Sequence, residues 1–225
     1  MKLNQKAEAI ALRKQGKTYS EILDQVHVAK STLSLWLREV KLARPQKQRI
    51  SQLRIDAQRR GARAVKELRV NRTSTLKKRA RCDAKALVHD PRWLSGVILY
   101  WAEGSKEKPW RTGEIVSLIN MDVSALKMFV EWAKKYLFVP ASRFRYDLYI
   151  HTTGDQTRAR MFWAEHLGIN SSEIRIYLKR HNPKPFRKNY GDGYHGAMRI
   201  KITESIDLNR TIAGWIEGVI ECLVK

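Results

Sequence analysis

The chain has 225 residues, with 44 Lys or Arg against 22 Asp or Glu, a formal charge of +22 and an isoelectric point near 10.3. At 43% hydrophobic residues, with seven Trp, eight Tyr and five Phe, it is too apolar for a disordered basic tail and long enough for one medium domain plus a smaller one. No apolar run reaches the roughly 18 residues of a membrane span, the N-terminal segment has no uninterrupted apolar core for a signal peptide, and two distant cysteines, Cys82 and Cys222, exclude a disulfide framework or a multi-cysteine zinc site and fit a reducing cytosol.

A charge this far from neutral destabilises the compact state by self-repulsion unless a polyanion offsets it, so nucleic acid is the first partner to expect. Its distribution is uneven. Residues 1–90 hold 23 Lys or Arg and 8 acids, whereas residues 91–225 hold 21 and 14. Only Tyr19 and Trp36 among the aromatics precede residue 90. The chain therefore reads as three parts: a small basic domain over 1–43, a basic helical linker over 44–89 and an aromatic-rich domain over 90–225.

In the first part, Ala7, Ile10, Ala11 and Leu12 recur at helical spacing, and Gly16 closes that helix. Ser20 is the expected cap of a second helix carrying Ile22, Leu23 and Val26. After a turn at Val28 and Ala29, Ser31 and Thr32 open a third helix with Leu33, Trp36 and Leu37 inward. Two short helices crossing on these residues would leave Lys30, Ser31, Ser34, Leu35 and Arg38 on a free face able to enter a major groove. The run V-A-K-S-T-L-S-L-W-L resembles the turn and recognition helix of the helix-turn-helix in resolvases, invertases and transposases, over about 35 residues. A generic three-helix packing unit is the alternative. No resolvase-type nucleophile domain accompanies it.

Residues 44–88 carry 15 basic and 3 acidic side chains, with Leu, Ile and Ala too sparse to build a core. The composition predicts a solvated basic helix, or a pair of them, tracking DNA; a flexible linker is the alternative.

At Asp90-Pro91 a capped helix begins and runs W-L-S-G-V-I-L-Y-W-A-E-G, apolar nearly all round, so burial on most sides is expected. Ser95, Gly96 and Ala102 would allow another helix close. Glu103 ends it, where the helix dipole disfavours a carboxylate unless a cation, Lys106 or solvent compensates. There follow a strand over 114–120, an amphipathic helix over 124–137 and a strand over 142–151 that alternates Phe144, Tyr146, Leu148 and Ile150 against Arg143, Arg145, Asp147, Tyr149 and His151. A helix over 156–167 precedes a strand with Arg175, Tyr177 and Lys179 outward. A last strand exposes Arg199 and Lys201, and a helix over 208–223 closes the chain. The fold class is α+β, with helices on one face of an antiparallel sheet and Arg, Lys and Tyr on the other. The segments KMFVEWAKKYLFVPASRFRYDLYI and RMFWAEHLGINSSEIRIYLKR echo each other as helix, short loop and basic strand. Such a strand surface can lie along a nucleic-acid groove, although it also suits a merely solvated face.

LSGVILYWAEGSKEK, followed by VSLINMD, a helix and a basic strand, resembles the LAGLIDADG homing endonucleases over about residues 92–205. The resemblance implies motif helices packed together, Glu103 as a ligand for Mg²⁺ or Mn²⁺ over the scissile phosphates, and strand residues as DNA readers. It implies Lys106, or less directly Lys179, as a group organising water or stabilising charge. The helix departs from the motif: Ile98 stands where the family has Gly, and Gly96 comes two residues early. A second acid could be Glu165 in FWAEH, though His166 replaces the motif glycine. One acid per chain would call for a homodimer. A branch of this superfamily has kept the fold without the acids as transcription regulators, so fold alone does not decide catalysis.

The segment RHNPKPFRKNYGDGYHG brings Lys184, Arg187 and Lys188 to a basic loop between two strands, suited to phosphate contact or to an ordinary surface turn. His181, Asn182 and His195 in it lack the order of a histidine–asparagine–histidine nuclease. The chemistry expected is therefore binding of double-stranded DNA, either with metal-dependent cleavage at Glu103 or without chemistry as a regulator. RNA is a distant third partner, since no RNA-binding motif is present. A cytoplasmic protein, nucleoid-associated if bacterial, is the matching location.

Overall fold

A computed structural model describes residues 2–42, 44–180 and 193–224. Two compact units divide the chain, Met1–Val70 and Asn71–Lys225. In the first, helices α1 (Lys2–Lys14), α2 (Tyr19–Leu23) and α3 (Lys30–Leu37) enclose buried Ala9, Ile22, Val26, Leu33 and Leu37. The expected three-helix arrangement is present. Its caps differ from those expected. Thr18, not Ser20, caps α2, because Thr18 lies three residues before Glu21 and the two form a reciprocal box. The Glu21 N–H donates to Thr18 Oγ1 at 3.2 Å, and the Thr18 N–H donates to Glu21 Oε2 at 2.6 Å. Helix α3 starts one residue earlier than expected, after Ala29, whose side chain makes no capping bond.

A single helix, α4 (Arg44–Leu87), follows. Its first turns belong to the N-terminal unit: the Gln46 amide donates to the Lys14 carbonyl, and Arg49 donates to the Gly16 carbonyl and to Glu21 Oε1, each at 2.9 Å. Gly16 makes this approach feasible. It has φ +87°, and a Cβ there would lie 2.9 Å from Gln46 Cγ. The Thr18 backbone bond first, and the Arg49 bond second, hold the Glu21 carboxyl at about 2, below its ordinary 4.5. A carboxylate depressed on folding stabilises above the unfolded value, so this contribution is complete above about pH 4.5 and is lost as pH falls towards about 2. Glu21→Gln is expected to flatten the acid limb of the N-terminal unit's melting temperature between pH 5 and about 2; an unaltered limb would show that Glu21 titrates alike in both states.

The C-terminal end of α4 corrects the expectation of a linker without a core. Ala80, Ala84 and Val88 are buried with the core of the second unit. The two alanines pack on α8 (Ile206–Leu223), where Gly214 and Gly218 face Ala80 and Ala84. Lys77–Glu217 (2.6 Å), Arg81–Glu217 (3.4 Å) and Arg81–Glu221 (3.8 Å) flank the contact.

The rest of this unit is α+β as expected: α5 (Pro91–Glu103), β1 (Ser117–Asn120), α6 (Val123–Tyr136), β2 (Phe144–His151), α7 (Gln156–Leu167), β3 (Ile174–Lys179), β4 (Ala197–Ile202) and α8. Asp90 caps α5 ahead of Pro91, its Oδ1 accepting the Arg92 N–H at 2.9 Å. The sheet order is β1-β4-β2-β3. β4 runs antiparallel to both neighbours, but β2 and β3 are parallel, so the all-antiparallel expectation fails at that pair. The reason lies in the echo: α6, the 3-10 turn Ala141–Arg143 and β2 repeat as α7, the 3-10 turn Ser171–Glu173 and β3. The 12-residue α7 carries the chain back to the end where β2 began, as a parallel neighbour requires.

Phe144, Tyr146, Leu148, Ile150, Met198, Ile200 and Ile202 point into a core filled from the helices by Trp93, Tyr100, Phe129, Trp132, Trp163 and Trp215. Helix α5 buries one face, Trp93, Gly96, Val97 and Tyr100, rather than most sides. A Cβ on Gly96 would fall 2.1 Å from the Trp132 ring, so the glycine does admit a neighbouring helix, α6. Ile98 and Trp101 remain exposed at 47% and 43%. Among the described residues, no helix is long and apolar enough to cross a membrane.

Candidate nucleic-acid interface

On α3, burial of Leu33 and Leu37 at one-turn spacing turns the opposite side outward. Lys30, Ser31, Ser34, Leu35 and Arg38 are all exposed there. Two cations and two short hydroxyls on one helical face can contact phosphates and base edges. The exposed Leu35 adds an apolar contact of the kind a thymine methyl accepts.

In the second unit, the open sheet face is a grid fixed by register. Across β4, β2 and β3, Arg199 stands beside Asp147 and Asp147 beside Arg175; one step along, Tyr149 stands beside Tyr177, and His151 beside Lys179. Arg145 pairs with Lys201, which in turn faces Ser117 of β1. These cations are not equivalent. Asp147, its side chain only 1% exposed, accepts from Arg199 Nη2 at 2.7 Å and Lys201 Nζ at 2.6 Å. One buried carboxylate thus neutralises part of the face and holds two cations in fixed positions. Its other oxygen is buried with no hydrogen-bond partner among the described residues. Arg143 is committed as well, donating to the carbonyls of Thr203 (2.7 and 3.1 Å) and Glu204 (2.9 Å). Arg145 folds back on the Ser142 and Phe144 carbonyls, both at 2.7 Å, but stays exposed. Arg175 and Lys179 are exposed on the edge strand. Lys184, Arg187 and Lys188, with His181 and Asn182, lie outside the described residues.

A further feature escaped the sequence reading. Tyr149 and Tyr177 stack with centroids 5.1 Å apart and planes 16° from parallel. Arg199 lies over the Tyr149 ring at 4.9 Å, and Lys179 Nζ at 5.5 Å. Alternation alone puts both tyrosines outward. Only the parallel register makes them neighbours.

Glu103 stands exposed at the C-terminal end of α5, so solvent is what relieves its clash with the helix dipole. Lys106 reaches the helix end itself, donating to the Trp101 carbonyl at 2.7 Å. Glu165 is exposed on α7, where His166 turns back to the Phe162 carbonyl at 2.8 Å. Among the described residues no three His, Cys, Asp or Glu side chains stand together as a cation site. A magnesium ion takes about six oxygen ligands and is usually held through one or two carboxylates. Glu103 could supply one such carboxylate. Comparison with models of known families, with curated proteins and with solved structures gives no match for this chain.

Proposed function

We propose that the protein binds double-stranded DNA with sequence preference, reading the major groove with α3 and gripping phosphates with the basic face of the sheet. The observation that carries this reading is α3: its apolar side is buried while Lys30, Ser31, Ser34 and Arg38 are all exposed on the other. The charge of +22 supports it, since each phosphate neutralised releases condensed counterions. Two DNA-binding modules on one chain raise avidity when both engage. The two free cysteines suit a cytosolic setting.

The test is titration of the purified protein against randomised duplexes at several salt concentrations, with selection and sequencing of the bound fraction. Enrichment of a common site supports the reading, and binding with no enrichment removes the sequence preference. Within it, Arg145→Ala and Arg175→Ala are each expected to weaken binding and to lower the slope of log K against log salt by about 0.9. An unchanged slope in both would mean that the sheet faces away from the duplex.

A second reading is cleavage, as the resemblance to LAGLIDADG endonucleases suggests. It rests on Glu103, exposed at the C-terminal end of α5. The resemblance implies two such helices packed together, so a homodimer would supply a second Glu103; on α5 itself Glu103 lies roughly on the opposite side from Ile98 and Trp101. Bound at Glu103, a divalent cation would supply Lewis-acid stabilisation of phosphate charge. Incubating the selected duplex with Mg²⁺ or Mn²⁺ should give double-strand products from the wild type and none from Glu103→Gln. Binding without cleavage under both metals leaves a DNA-binding regulator.

A further inference from the structure

The open sheet face carries a stack that ends in solvent. Arg199 on β4, Tyr149 on β2 and Tyr177 on β3 follow one another across three strands, each ring or guanidinium within 5.1 Å of the next. Asp147 fixes the inner end by holding Arg199. The outer end is Tyr177, on the strand at the edge of the sheet and 40% exposed. A cross-strand tyrosine pair needs no such exposure to stabilise a sheet. Along β3, Arg175 and Lys179 lie two residues before and after Tyr177 on the same face, each about 6.6 Å away along the strand. A ring with a cation on either side matches one nucleoside with the phosphates that flank it.

Paired bases inside a duplex offer a groove-bound protein only their edges, because their flat faces are already stacked on neighbours. An unpaired base offers its face. We propose that Tyr177 is a stacking platform for an unpaired base, and that the sheet binds single-stranded DNA, with Arg175 and Lys179 on the adjoining phosphates. The proposal rests on the DNA-binding reading only for the choice of DNA as the strand, and it assigns Tyr177 a role that duplex binding by α3 does not need. Aromatic platforms in basic grooves are the general means of holding single strands, since every base has a π-face.

The experiment uses the full-length protein and a thymidine oligonucleotide carrying 2-aminopurine, whose fluorescence is quenched on stacking, beside a blunt duplex labelled for anisotropy. The wild type is expected to bind the single strand and quench the probe. Tyr177→Ala should weaken single-strand binding about five-fold or more and abolish the quenching, while Tyr177→Phe keeps both. Blunt-duplex affinity should be the same in all three proteins. The proposal is overturned if the wild type neither binds nor quenches the oligonucleotide, if Tyr177→Ala behaves as the wild type, or if it weakens blunt-duplex and single-strand binding equally. Failure of the duplex reading shows elsewhere, as no binding of the blunt duplex by the wild type.

Discussion

Replacing Gly214 and Gly218 together by leucine is expected to lower the melting temperature of the C-terminal unit by roughly 5–20 °C. The two glycines are the floor on which α4 rests. A Cβ on Gly214 would stand 2.7 Å from Ala80 Cβ and 2.8 Å from the Lys77 Cα and carbonyl oxygen; on Gly218 it would stand 2.6 Å from Ala84 Cβ and 3.1 Å from Arg81 backbone atoms. Backbone cannot rotate aside as a long side chain can, so the helices must part. Parting them uncovers Ala80 and Ala84, at 1% and 0% exposure, and strains the Lys77 and Arg81 ion pairs. Overpacking of this kind costs about 1–3 kcal/mol a site, so about 2–6 kcal/mol for the pair, a large part of a stability that is typically about 5–15 kcal/mol. Helix propensity works the other way, favouring leucine over glycine by up to about 1 kcal/mol a site, and is outweighed. Gly61 supplies the control, because nothing lies within 4 Å of the Cβ it would carry. Gly61→Ala should be neutral or slightly stabilising. Calorimetry on both variants decides the matter, and a leucine pair that melts with the wild type would mean that α4 and α8 are not packed in solution.

Charge reversal on α3, Lys30→Glu with Arg38→Glu, is expected to cost about 10- to 100-fold in duplex affinity at physiological salt and to lower the salt slope by about 1.8. Both side chains are exposed and outside the core of Leu33 and Leu37, so circular dichroism should report an unchanged fold. Loss of binding with retained helicity is the signature of a contact surface. Retained binding would remove α3 from the interface and leave the sheet as the main grip.

Much of this architecture was legible because its signals are local. Asp90-Pro91 announces the start of α5, and the alternation of Phe144, Tyr146, Leu148 and Ile150 announces a one-sided strand, each within a few residues. The exposed side of α3 follows in the same way, from Leu33 and Leu37 being one turn apart. What stayed hidden depends on partners distant in the chain. Ala80 and Ala84 look like spacers in a charged helix, since hydrophobic periodicity has no term for an alanine that meets a glycine more than a hundred residues away. α5 looks apolar all round, and nothing in its own residues tells which side will find a partner.

The candidate site divides along the same line. Residue types and alternation by themselves set the excess of cations, the outward positions of Arg145, Arg175, Lys179, Arg199 and Lys201, and the carboxylate at the end of α5. Strand register belongs to tertiary structure. The α7 crossover made β3 parallel to β2, which set Tyr177 beside Tyr149, and the antiparallel return of β4 set Arg199 and Lys201 against Asp147. Alternation states which face a side chain takes, but a neighbour across the sheet depends on how the chain between two strands turns, and a shift of one residue would have changed every pair. A uniform basic surface thereby became an ion-paired centre with an aromatic stack open at one edge.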